Sequence, residues 1–207
     1  MLKKLVCFYI LVMSGSVSAS NVPAQAQLES FLSSMSSLSA DFEQNLYDHY
    51  GDRLQQSSGT FNMKRPGKFR WDYILPYAQN IISNGKKIWM YDSELEQVNV
   101  RPYSQILASS PISLLDKNQS LSVEFTVEPM PSTKALQWVR LLPKAQENDF
   151  KEIQIGLKEG EIKIMRFVDN FDQVTEVKFE HLVVNPVLNS EIFEFTVPEG
   201  ADVMGDF

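Results

Sequence analysis

The chain has 207 residues, 43% of them hydrophobic, and a formal charge of −7. That acidity excludes the basic footprint nucleic-acid binding needs and argues against holding to anionic lipid surfaces. One cysteine, Cys7, excludes a disulfide framework and a cysteine metal site.

Residues 1–19 read as a cleaved signal peptide. Lys3 and Lys4 form its basic region, Leu5 to Met13 its apolar run and Val17-Ser18-Ala19 its small-residue cleavage site. No run approaches the ~18 apolar residues of a membrane-spanning helix. Cys7 has no small-residue motif before it, so a lipid anchor there is not expected. Residues 20–207 are expected to form a single exported domain, with 17 Lys+Arg against 26 Asp+Glu once Lys3 and Lys4 are gone.

Leu28, Phe31, Leu32, Met35 and Leu38 recur at helical spacing, which predicts an amphipathic helix over 24–37. Its other face is mostly serine, so docking must stabilise it. From Leu38 the pattern changes to period two, with a turn near Gly51. Strands are predicted at 55–65 and 69–75, joined at Pro66-Gly67, and at 80–83 and 86–91, joined at Asn84-Gly85. Further strands are expected at 96–100, 121–127, 135–141, 152–157, 161–167, 174–183 and 194–197. Between them, Ser110-Pro111 reads as a helix start leading into Ile112, Leu114 and Leu115. The expectation is a mainly β (α+β) chain of about eleven strands in one antiparallel meander. Two isolated helices then either lie across the concave face of a curved sheet or cap an ordinary filled core. For the strands at 80–91 both faces are apolar, so the inward one stays open.

The first hairpin carries the most information. With a three-residue loop, Pro66 to Lys68, Arg65 falls opposite Phe69, Met63 opposite Trp71 and Phe61 opposite Tyr73. Phe61, Met63, Phe69, Trp71 and Tyr73 then share a face with one guanidinium. A buried charge needs partners, so something should cover this face and offer oxygens to Arg65.

Catalytic chemistry is thin. His49 and His181 are the only histidines, one in a turn and one in an alternating strand. Neither has neighbours at metal-ligand spacing. Glu94/Glu96, Glu159/Glu161 and Asp169/Asp172 lie at turns, where carboxylates are solvated. Asn118-Gln119-Ser120 matches a glycosylation sequon but is too common a tripeptide to carry weight. Neither enzymatic activity nor a cofactor or metal is expected.

Several segments resemble the periplasmic outer-membrane lipoprotein carrier family, LolA. They are Phe42-x-Gln44, Lys64-Arg65-Pro66-Gly67-Lys68-Phe69-Arg70-Trp71, Asn84 to Asp92, Leu95 to Val98, Ser110-Pro111 with Leu114-Leu115, and Phe195 to Gly200. The resemblance implies an unclosed antiparallel β-barrel with an α-helical lid over a hydrophobic cavity. It implies a carrier that accepts triacylated lipoproteins from an inner-membrane ABC transporter and delivers them to an outer-membrane lipoprotein receptor, acting as a periplasmic monomer. By position it makes Arg65 a latch onto lid carbonyls of Leu32 and Leu115-Asp116. The acyl-chain cavity would be lined by Phe61, Met63, Phe69, Trp71 and Tyr73, with Leu28 and Met35 from the first helix and Ile112 and Leu114 from the second. Ser113 departs from an all-apolar second lid helix. A half-barrel sensor of lipoproteins or other amphiphiles is the competing reading.

Overall fold

The computed structural model describes residues 22–107, 112–116, 120–133, 135–145 and 148–205. The expected signal peptide, Ser110-Pro111 and the sequon's first two residues lie outside them.

The first element of the described residues is helix α1 (Ala24–Ser34), three residues shorter than the periodicity predicts. Met35 is already extended, with φ −85° and ψ 125°. Six strands follow: β1 (Ser37–Tyr47), β2 (Arg53–Lys64), β3 (Lys68–Leu75), β4 (Gln79–Asn84), β5 (Lys87–Asp92) and β6 (Gln97–Pro102). Three short helices come next, α2 (Tyr103–Leu107), α3 (Ile112–Asp116) and α4 (Leu121–Glu124). The second half continues with β7 (Phe125–Pro129), β8 (Gln137–Pro143), β9 (Phe150–Lys158), β10 (Glu161–Asp169) and β11 (Val174–Val184). A 3-10 turn (Ser190–Phe193) and β12 (Asp202–Gly205) close the described chain.

Two expected strands are corrected. Leu121–Glu124 is a helical turn, so the strand begins only at Phe125. Residues 194–197 form no strand. Asn189 accepts the Glu191 N–H at 3.1 Å and winds the preceding residues into a 3-10 turn, which buries Phe193. The last strand comes later, at β12, and runs parallel to β6.

All twelve strands belong to one sheet, in the order β12-β6-β5-β4-β3-β2-β1-β11-β10-β9-β8-β7. Every other neighbouring pair is antiparallel. The terminal strands β12 and β7 do not pair with each other, so the sheet is mainly β, helix-poor and unclosed. It curls: Ile81 and Met90 line one cavity together with Phe167 and Val177. Between β4 and β10 lie five inter-strand steps, about 24 Å in a flat sheet at ~4.8 Å each.

The hairpin register is also corrected. Lys64 pairs with Lys68, Met63 with Phe69 and Phe61 with Trp71, leaving Arg65, Pro66 and Gly67 as the loop. Arg65 leaves the β2–β3 ladder because its N–H donates instead to the Ser36 carbonyl at 2.9 Å. Gly67 supplies the φ of +73° that ends the turn. The slip moves each partner by two residues, so side-chain parity survives and the odd-numbered residues still share a face.

The sheet buries both faces on its β3–β6 side. Its concave face joins α1 and α3 in the main core, with Leu28, Leu38, Phe61, Met63, Ile155 and Leu157 fully enclosed. Its convex face, with Ile82, Val98 and Val100, is covered by the C-terminal segment through buried Phe193. Phe195 lies 6.1 Å from the Trp89 ring and 5.7 Å from Tyr91. This resolves the ambiguous strands. Ile81, Ile88 and Met90 point inward because the opposite set already has a cover.

Candidate functional site: two tethered helices and an apolar cavity

Arg65 joins α1 and α3 to the β2–β3 hairpin. Its Nε donates to the Leu115 carbonyl at 2.8 Å, and its Nη1 to the Leu32 and Met35 carbonyls, each at 2.7 Å. These carbonyls are available for a physical reason. The last turn of a helix leaves C=O groups without intrahelical donors, and a cation there also meets the favourable end of the helix dipole. Burial pulls the guanidinium pKa down while Asp116 opposes the shift. An arginine stays charged regardless. Its Nη2 is buried and finds no acceptor among the described residues.

Asp116 acts through its side chain rather than through its backbone carbonyl. Oδ1 accepts the Gly67 N–H at 2.7 Å and Oδ2 accepts the Tyr103 hydroxyl at 2.5 Å. The carboxylate thus ties α3 to the tip of the β2–β3 hairpin. Burial and this hydrogen bond push the Tyr103 pKa far above its ordinary value. The periodic pattern gave no sign of this clasp, because it joins residues 49 and 13 positions apart.

Asn185 adds a second hold on α1. Its side chain accepts the Ser36 N–H at 2.6 Å and donates to the Ser34 carbonyl at 2.9 Å. With φ at +57°, a conformation asparagine tolerates, it closes the end of α1 against the start of β1.

A cavity of about 250 Å³ lies against α3, which contributes Ile112 to its wall. Of the residues expected there, Phe69, Trp71, Tyr73 and Ile112 line it. Leu28, Met35, Phe61, Met63 and Leu114 do not. They are buried in the packed core, sealed by contact with the helices themselves. The far wall is Phe150, Phe167 and Val177, with Ile81, Ile88 and Met90 beside the hairpin. These were missed because only barrel curvature brings β9–β11 opposite β3. Their apolar alternation was visible; the pairing across the cavity was not.

An aromatic wall stiffens the hairpin side. Phe42 meets Trp71 edge-on at 5.1 Å and Tyr73 at 5.2 Å, and Phe61 sits 4.7 Å from Trp71. Gly59 permits this, since a Cβ there would sit 1.8 Å from the Asp72 carbonyl oxygen and 3.1 Å from the Phe42 ring. Tyr73 donates to Gln44 Oε1 at 3.1 Å, and burial pushes its pKa up to about 12.

Two larger grooves, about 1240 Å³ beside the outer face of α1 and about 680 Å³ under the β1–β2 turn, lie open on the surface. Among the described residues no three His, Cys, Asp or Glu side chains are placed to hold a metal ion. Among them, too, no helix is long and apolar enough to cross a membrane.

This unclosed β-sheet, with helices fastened to it by Arg65, has relatives among known proteins. The profile of the family described as "Outer membrane lipoprotein carrier protein LolA" matches residues 33–196. The chain belongs to the LolA family. It is 40% identical over 192 residues to the outer-membrane lipoprotein carrier protein of Methylococcus capsulatus (strain Bath), covering 93% of this chain and 92% of that one. To the protein of the same description from Methylobacillus flagellatus it is 39% identical over 196 residues, covering 95% and 94%. At the level of fold, it resembles the crystal structure of an uncharacterized conserved protein from Thermus thermophilus. That match has a TM-score of 0.53 and 12% identity, covering 86% of this chain and 94% of the other.

Proposed function

We infer that this chain is an outer-membrane lipoprotein carrier, a periplasmic chaperone of Gram-negative bacteria that shields the acyl chains of its cargo in transit. The observation that carries the reading is Arg65, which fastens α1 and α3 beside an apolar cavity through three carbonyls. On this reading residues 1–19 direct export and 20–207 form the carrier domain, which works as a monomer. The donor is an inner-membrane ABC transporter and the acceptor an outer-membrane lipoprotein receptor.

Magnitudes support an opening lid and an energised donor. At ~30 Å³ per water-sized group, the 250 Å³ cavity holds only about eight methylenes. Three long acyl chains, roughly 45 methylenes, need on the order of 1300 Å³ on the same scale. Entry therefore displaces the lid, and the buried core residues Leu28, Met35, Phe61, Met63 and Leu114 become the additional acyl-binding surface. Leaving a bilayer forfeits about 0.8 kcal/mol per methylene, on the order of 35 kcal/mol in all. Non-covalent affinity saturates near roughly 18–21 kcal/mol. A carrier without an energy source cannot extract such cargo unaided, which favours an ATP-driven donor.

Closing the empty lid offsets part of the cargo's binding energy, so cargo remains releasable. The test is loading of purified protein with a triacylated lipoprotein, followed by incubation with outer membranes. Wild type should release its cargo there. Arg65→Leu should load yet hand over poorly, and normal handover by that variant would remove Arg65 as the latch. Cargo that stays on the wild-type protein would favour the sensor reading.

A further inference from the structure

We propose that Gln44, oriented by Tyr73 and flanked by Thr175, forms a hydrogen-bonding end to the cavity that takes the carbonyl of an acyl linkage. This rests on the carrier reading and specifies which part of the cargo the cavity recognises.

Apart from the buried indole N–H of Trp71, the polar groups of the wall belong to three residues. Gln44, Tyr73 and Thr175 all line the cavity. Gln44 lies on β1 opposite Val177, and Thr175 opposite Leu46 on the same strand pair. The latch is at the other end. Arg65 meets the chain at Ser36, one residue before β1 begins. From Ser37 to Gln44 the strand advances about 23 Å at ~3.3 Å per residue. The polar group thus lies at the end of the cavity away from Arg65.

The amide is set up to donate. The Tyr73 hydroxyl donates to Gln44 Oε1 at 3.1 Å, occupying the oxygen and fixing which way the amide turns. Gln44 Nε2 has no acceptor among the described residues. Nor is it sealed in protein, since the buried unpartnered side-chain atoms among them are Arg65 Nη2 and Trp71 Nε1. A donor on an apolar wall with its own oxygen already engaged selects for an acceptor. A saturated hydrocarbon chain has none. An ester or amide carbonyl at the head of that chain does, and it would otherwise enter the cavity stripped of water.

The experiment is displacement of N-phenylnaphthylamine from the purified full-length mature protein by three ligands of equal chain length: a fatty-acid methyl ester, the matching N-methyl amide and the n-alkane. Wild type should bind the ester and amide about five- to tenfold more tightly than the alkane, the difference one neutral hydrogen bond makes. The ratio of ester to amide tells which linkage the site favours. Gln44→Leu should abolish the preference, bringing the three ligands to similar affinity, and Tyr73→Phe should reduce it by freeing the amide to rotate. Thr175→Val provides a second, isosteric variant should Gln44→Leu fold poorly. Equal binding of all three ligands by wild type, or an undiminished preference in Gln44→Leu, would overturn the polar end alone. If none of the three displaces the probe, the carrier reading falls as well.

Discussion

Removing the Asp116 carboxylate should loosen α3 at the hairpin tip while Arg65 still holds the Leu115 carbonyl. In Asp116→Ala two hydrogen bonds disappear, the 2.7 Å bond from the Gly67 N–H and the 2.5 Å bond from the Tyr103 hydroxyl. A hydrogen bond to a charged group contributes about 1.5–3 kcal/mol. Asp116 is only half-buried, so solvent competes for it, and the pair together comes to about 2–3 kcal/mol after that discount. The larger part falls on Gly67, whose buried N–H would lose its acceptor. Opening at the hairpin tip should become about 30- to 150-fold easier by the same conversion. Hydrogen exchange at the Gly67 amide reads this directly. Asp116→Asn keeps an oxygen for Gly67 and should retain most of the protection, while Tyr103→Phe should lose only the hydroxyl's share. A double-mutant cycle between Asp116 and Tyr103 should give a coupling of about 1–2 kcal/mol. A folded Asp116→Ala protein whose Gly67 amide exchanges at the wild-type rate would refute the clasp.

Gly59→Ala would place a Cβ 1.8 Å from the Asp72 carbonyl oxygen, so β2 and β3 must part. Denaturant unfolding should show a loss of about 3 kcal/mol or more, and wild-type stability would contradict the packing argument. Phe193→Ala should cost about 3–5 kcal/mol, because Phe193 is fully enclosed on the convex face. Acyl-ligand affinity at 25 °C should stay unchanged in that variant; a parallel fall would mean the two faces are not independent. Tyr73 and Tyr103 are held neutral well above the ordinary tyrosine value of 10.0, Tyr73 to about 12. Their stabilisation is therefore complete below about pH 10, where the unfolded phenol ionises, and is lost as the pH climbs from there through the folded values. Phenolate absorbance should show both resisting ionisation until the protein unfolds. Replacing both by Phe should flatten the alkaline loss of stability, and an unchanged alkaline profile would assign it elsewhere.

Much of this architecture was legible in local pattern. Alternation gave the strands, Asn84-Gly85 and Pro66-Gly67 gave turns, and a lone Arg65 among aromatic residues demanded a cover. What local pattern missed was set by distant partners. The first hairpin slipped because Ser36, from another element, captured the Arg65 N–H. Residues 194–197 failed as a strand because burying Phe193 against the convex face wound the preceding segment into a 3-10 turn. The Asp116 clasp has no local signature, because a carboxylate near a helix end carries no sign of the amide it will meet.

The amino-acid sequence by itself determined which side chains share a face, since a strand's period of two keeps parity even when register moves. It also determined that a charged residue had to be covered. Only the tertiary structure decided which faces look into the cavity and how much space remains there. Both depend on the curl of a twelve-stranded sheet, which brings Phe167 and Val177 opposite Ile81 and Met90. That curl follows from all the strand pairings together, and no single segment contains it.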